Sequence, residues 1–113
     1  MEIQVFDKYA DFPASPSGTM SAQQENAEEY FYLKPEDDSM APQLEPGVPA
    51  LFKKQRKAKN GDIVFASIGN QSYIRRISYD KDFLDLYPIN ESYEKLSFVG
   101  FSLNRVKIKG VLQ

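Results

Sequence analysis

Ser39 is the nucleophile whose neighbours could set up chemistry. Asp38-Ser39-Met40-Ala41-Pro42 places a small hydroxyl after the acidic turn Glu36-Asp37-Asp38. Pro42 has no N–H, which leaves backbone donors around the serine uncommitted. A hydroxyl attacks only when something takes its proton, and the chain contains no His and no Cys. Ser-His-Asp triads, thiol catalysis and His- or Cys-based metal sites are therefore excluded, and any hydrolysis must use a base other than imidazole. On composition alone the same serine reads as a helix N-cap. Asp37-Asp38 lacks further oxygen ligands at loop spacing, so no metal is expected there. No Gly-x-Gly-x-x-Gly, P-loop or EF-hand loop occurs either, so no cofactor is expected.

The elements that must position Ser39 are short strands. At 113 residues, 42% hydrophobic and 27% charged, the chain suits one globular body with a core that needs no staples. Residues 1–26 mix a small apolar patch (Ile3, Val5, Phe6) with Pro13, Pro16, Gly18 and several Ser and Gln. That composition predicts an extended arm that gains order by docking. Glu28 to Leu33 is aromatic-rich and ends at Pro35, as a strand would. Further strands are expected at Pro49–Phe52, Ile63–Ile68, Gln71–Ser78 and Phe83–Tyr87, with turns at Asn60-Gly61 and Gly69-Asn70. Val106, Ile108, Gly110 and Leu112 alternate with polar neighbours as a half-buried closing strand. About six or seven strands at this spacing predict a mainly β fold of twisted antiparallel sheets, with at most one or two short helices.

Charge is unevenly spread. Residues 1–50 hold two lysines against ten acids, a net −8, which leaves +6 for residues 51–113 out of the chain's −2. Lys53, Lys54, Arg56, Lys57 and Lys59 crowd the approach to Asn60-Gly61. Such polarity fits an acidic arm on a basic body, a nucleic-acid face, or plain solvated surface. No stacking aromatics or recognition helix accompany the basic run, which favours a solvated connection. No run approaches the length of a membrane span and the N-terminus has no signal-peptide pattern, so a cytoplasmic protein without a membrane anchor is expected.

A set of motifs in fixed order adds a family resemblance. Glu36-Asp37-Asp38-Ser39-Met40-Ala41-Pro42, Glu45-Pro46-Gly47, Asn60-Gly61-Asp62-Ile63-Val64, Tyr73-Ile74-Arg75-Arg76-Ile77, Leu84 to Asn90, and Ile108-Lys109-Gly110-Val111 follow one another. Together they resemble the self-cleaving C-terminal domain of the LexA, UmuD and phage-repressor family. Phe12-Pro13-Ala14-Ser15-Pro16 is more loosely similar to the front arm of UmuD-type proteins. The resemblance implies an arm over 1–26 containing a cleavage-site-like region and a LexA/UmuD-like peptidase-fold domain over 27–113.

In that family a Ser/Lys dyad cuts a bond in the protein's own arm. By the match, Ser39 holds the nucleophile position, and Met40 contributes its backbone N–H to the oxyanion site and elbow. The position of the base lysine is filled by Arg75. A buried amine can give up its proton, whereas a guanidinium stays charged in proteins, so Arg75 is not expected to act as a general base. The counterpart of the cleaved bond is Ala10-Asp11, where the family's Gly is missing. Asp37 replaces a usual Gly, and Val48 an Asp that many relatives carry. Self-cleavage is accordingly expected to be absent or very slow.

The expectation is thus a regulatory domain of the SOS-response or phage-repressor type, homodimeric through its C-terminal strand. Possible partners are a RecA-type filament or a translesion DNA polymerase, with DNA reached only through a separate helix-turn-helix domain. Two other readings compete. One is an active peptidase that uses another lysine, Lys34, Lys53, Lys54 or Lys95, and the other is a β-rich interaction module in which Ser39 is only a cap.

Overall fold

A computed structural model describes all 113 residues. Nine strands form one sheet: β1 (Glu2–Phe6), β2 (Gly18–Ser21), β3 (Tyr30–Leu33), β4 (Ala50–Lys54), β5 (Ile63–Ile68), β6 (Gln71–Tyr79), β7 (Phe83–Tyr87), β8 (Leu96–Val99) and β9 (Val106–Leu112). Their order across the sheet is β2-β1-β3-β4-β9-β5-β6-β7-β8. Every pairing is antiparallel except β1 with β3, where Val5 and Phe6 sit opposite Tyr32 and Leu33. There is no α-helix; Tyr9–Asp11, Ala27–Glu29 and Gly100–Arg105 are 3-10 turns. The mainly β class read from the strand pattern is the class observed.

Strand β5 shows why this sequence pairs as it does. Its residues are apolar at nearly every position because both faces are covered. Ile63 and Phe65 join Phe6, Phe31, Leu33, Met40, Phe52 and Ile74 in one core. Val64, Ala66 and Ile68 join Ile77, Leu86, Phe98 and Val111 in a second. The turn Gly69-Asn70 closes the β5–β6 hairpin with Ile68 opposite Gln71, and Gly69 takes the positive φ that such a turn requires. Asn60-Gly61 also turns, but it joins no hairpin. Instead the Asn60 amide both donates to Tyr79 O and accepts from Tyr79 N–H, tying the loop to the end of β6.

Two expectations, the Ser39 cap and the β9 edge, are corrected, while β8 and a hairpin within the docked arm add to the pattern. Ser39 caps no helix: residues 39–44 are turns, and Leu44 N–H closes one on Met40 O at 2.9 Å. Pro42 disfavours helical backbone at Ala41 before it. Strand β8 escaped the pattern because Glu94, Lys95 and Ser97 dilute it. Residues 1–26 contain the β1–β2 hairpin, with Ile3, Val5 and Phe6 fully or almost fully buried.

Strand β9, lastly, is no free sheet edge over its whole length. It lies between β4 and β5, with Phe52, Lys53 and Lys54 opposite Leu112, Val111 and Gly110. Its simple alternation also breaks, because the register with β5 shifts between Phe65 and Ala66. That irregularity turns Val111 inward on the face that Val106 and Ile108 also cover.

Candidate functional site

Ser39 lies in the connection between β3 and β4, and Arg75 lies in the middle of β6. The fold brings them together: Arg75 Nη1 donates to Ser39 Oγ at 2.7 Å, in a contact where both residues are buried. The same nitrogen donates to Ile74 O at 2.8 Å, and Arg75 Nε is buried without a partner. The guanidinium carbon stands 5.3 Å from the Tyr73 ring centre and 5.8 Å from that of Tyr93. No carboxylate lies within salt-bridge distance of it, so aromatic faces, a carbonyl and a hydroxyl carry its solvation.

The serine is held from both sides by backbone. Ser39 O accepts from Ile89 N–H and Asn90 N–H, both at 2.9 Å, and Ser39 N–H donates to Asp37 Oδ1 at 3.0 Å. Asn90 Nδ2 also donates to Asp38 O, and Tyr93 Oη donates to Asp38 Oδ1 at 2.8 Å. That hydrogen bond to a carboxylate holds the exposed Tyr93 phenol above its ordinary pKa. The segment after β7 therefore buttresses the serine turn, which gives the Leu84 to Asn90 motif a physical reason. Met40 N–H donates to no protein acceptor, while its side chain is buried in the core beside the turn.

The arm closes this region from the other side. Tyr9 N–H donates to Glu36 Oε2, and Glu36 N–H donates back to Tyr9 Oη at 3.0 Å. Burial, reinforced by the nearby Asp37 and Glu36 carboxylates, pushes the Tyr9 phenol up to about 12. Phe12 packs edge-on against Phe6 and Phe65 and tilts over Phe31. Ala10 and Asp11 lie inside the 3-10 turn Tyr9–Asp11, where Asp11 N–H is bonded to Lys8 O. The turn rests against β6, yet no hydrogen bond joins either residue to Ser39.

None of the lysines that could replace a base hydrogen-bonds to Ser39. Lys34 pairs with Asp7 at 2.7 Å, Lys53 stands over the Tyr30 ring, and Lys95 reaches toward Asp85 and Tyr87. Val48 is exposed, well removed from a role in a buried pair. Tyr9 and Tyr93 were not singled out in the sequence, and Tyr73 appeared there only as the first residue of a motif. Only their aromatic type hinted at them, and aromatics are common in any β core.

Chemically, the arrangement is a donor aimed at the serine oxygen. A general base must accept the hydroxyl proton, but the group at hydrogen-bond distance gives one. A positive charge there lowers the cost of negative charge on Oγ without providing a place for the proton.

Known proteins are similar to this chain in sequence. A Peptidase S24-like family model matches residues 2–112. The LexA repressor of Clostridium tetani is 33% identical over 72 residues, covering 63% of this chain and 36% of the relative. That of Clostridium perfringens is 37% identical over 70 residues, and that of Geotalea uraniireducens 36% over 70, each covering 58% of this chain and 33% of the relative. The chain thus aligns with about a third of the length of these curated relatives. With the match running from the first strand to the last and taking in both Ser39 and Arg75, the chain belongs to the Peptidase S24-like family.

Proposed function

We propose that this is a LexA/UmuD-like regulatory domain that keeps the S24 scaffold for assembly and has lost self-cleavage, or retains it only at a very slow rate. The observation that carries the reading is the 2.7 Å contact in which Arg75 Nη1 donates to Ser39 Oγ. It sits where a nucleophile would need an acceptor. The 3-10 conformation of Ala10 and Asp11 supports it as well, since a scissile bond presented to a serine has to be extended.

In this reading Ser39 holds the nucleophile position, Arg75 that of the base, and Met40 the oxyanion donor. Residues 1–26 act as a permanently docked arm on the domain formed by 27–113. The domain works in the cytoplasm as a homodimer. Its wider role is damage-response or phage-type regulation, engaging a RecA-type filament or a translesion polymerase, with DNA contacted through a separate helix-turn-helix domain.

Mass spectrometry of the purified chain after long incubation at alkaline pH tests the central point. The intact mass is expected to persist. Prompt release of an N-terminal fragment that the substitution Ser39→Ala abolishes would refute the reading and restore an active peptidase. Labelling of Ser39 by a serine-directed phosphonate is expected to fail for the same reason.

A further inference from the structure

Asn60-Gly61 joins the basic residues after β4 to β5, and the Ser39 site makes no use of it. No other Asn in the chain is followed by Gly. The pair carries a chemistry of its own. A main-chain nitrogen attacks the carboxamide of the preceding Asn most easily when it belongs to glycine, whose missing Cβ leaves the approach open.

The fold engages both groups that such an attack needs. Asn60 Nδ2 donates to Tyr79 O at 3.0 Å and Asn60 Oδ1 accepts from Tyr79 N–H at 2.6 Å, so the carboxamide is held at both ends. Gly61 N–H donates to Ile77 O at 2.8 Å. The turn itself is closed by Asp62 N–H on Lys59 O at 3.1 Å and by Lys59 N–H on Asp62 Oδ2 at 2.8 Å. Tyr79 Oη adds a tie to the preceding loop by donating to Ala58 O at 2.7 Å. Bringing Gly61 N onto Asn60 Cγ requires the nitrogen to leave Ile77 and the carboxamide to turn away from Tyr79. Both residues are nonetheless exposed, so water has access to them.

We propose that Asn60 is a deamidation site gated by this tie, shielded while the loop is bound to the end of β6 and reactive whenever it opens. In the open loop Gly61 N gives its proton to water or hydroxide and attacks Asn60 Cγ. The new C–N bond closes a succinimide, the Cγ–Nδ2 bond breaks, and Nδ2 leaves as ammonia. Water then splits the ring at either carbonyl to give aspartate or isoaspartate. Overall one water is consumed and one ammonium released, with no other reactant.

The product cannot retie the loop. A carboxylate has no hydrogen to give Tyr79 O, and its oxygens repel that carbonyl. Isoaspartate also lengthens the main chain by a methylene, which carries Gly61 N–H away from Ile77 O. Local opening is cheaper than unfolding the whole fold. A passing release of residues 55–59 from β6 is thereby converted into a lasting one.

The test follows Asn60 in the full chain and in an isolated peptide of residues 57–65, side by side in mildly alkaline buffer. Conversion is read by peptide mass and by isoaspartate labelling. The peptide is expected to deamidate, with isoaspartate among its products. The folded chain should convert at least about tenfold more slowly, in proportion to the rarity of its open state, and urea should bring it to the rate of the peptide in the same urea. Asn60→Asp, which reproduces one product, should keep the parent circular dichroism yet speed hydrogen exchange of the Gly61 amide at least about tenfold. Equal rates in folded chain and peptide would overturn the gating, and an inert Asn60 in the peptide would overturn the site. Unchanged exchange at Gly61 in the Asn60→Asp chain would overturn the lasting release.

Discussion

At the scale of single residues, the Arg75–Ser39 contact ties stability to the site. Ser39→Ala removes one of the two acceptors that Nη1 uses and leaves more of a buried guanidinium unsatisfied, beside the already orphaned Nε. A loss of about 1–3 kcal/mol is expected in urea unfolding. A catalytic serine serving no structural purpose would give no change. Tyr9 supplies a pH signature. Its folded pKa is raised to about 12 from the ordinary 10.0, chiefly by burial. The unfolded chain gives up that proton first, so the stabilisation is complete below pH 10 and fades as pH climbs toward 12. With the ring only partly shielded, the loss should be on the order of 1–2 kcal/mol. Urea midpoints measured across that window should fall for the parent chain and stay flatter for Tyr9→Phe, after the fall common to both is subtracted.

Among the elements, β9 depends on a position with no side chain. A Cβ on Gly110 would stand 2.7 Å from Phe31 Cζ and 3.2 Å from Lys53 O. The ring cannot retreat easily, because it stacks 5.5 Å from Phe52 and meets Phe6, Phe12 and Phe65. Gly110→Ala should cost about 1–3 kcal/mol by thermal or urea melting. Adding Phe31→Leu should recover part of that cost, so that the double variant loses less than the two single changes combined.

The same element shows where sequence reading stops. The alternation from Val106 to Leu112 was legible as a half-buried strand, and β5 through β7 were legible from runs and turn dipeptides whose periods are local. The register shift opposite Phe65 and Ala66 was not legible, because it belongs to the pairing of β5 with β9, which lie far apart in the chain. Ser39 stood out from its own neighbours, but its pairing with Arg75 was found only through the ordered motifs. Nothing in the residues themselves says that β6 and the β3–β4 connection converge, and the Tyr9–Glu36 clamp left no trace in spacing at all.

For the whole molecule, the sheet order bears on assembly. Strand β9 has partners on both sides at Gly110 and Val111, so self-association cannot zip the complete C-terminal strand of one copy to that of another. The homodimer proposed above is expected in sedimentation at micromolar concentration. Only monomer under those conditions would count against it.

Strand β1 gives the arm an unusual status. Its three buried side chains include Ile3 and Phe6, which are as deeply set as any in the protein, and Val5, and the strand is stitched to both β2 and β3. Were the backbone ever severed between Ala10 and Asp11, by any agent, no tail would drift away. The short piece would stay seated like a stave in a barrel, the two fragments would travel together under native conditions, and only a denaturant would part them.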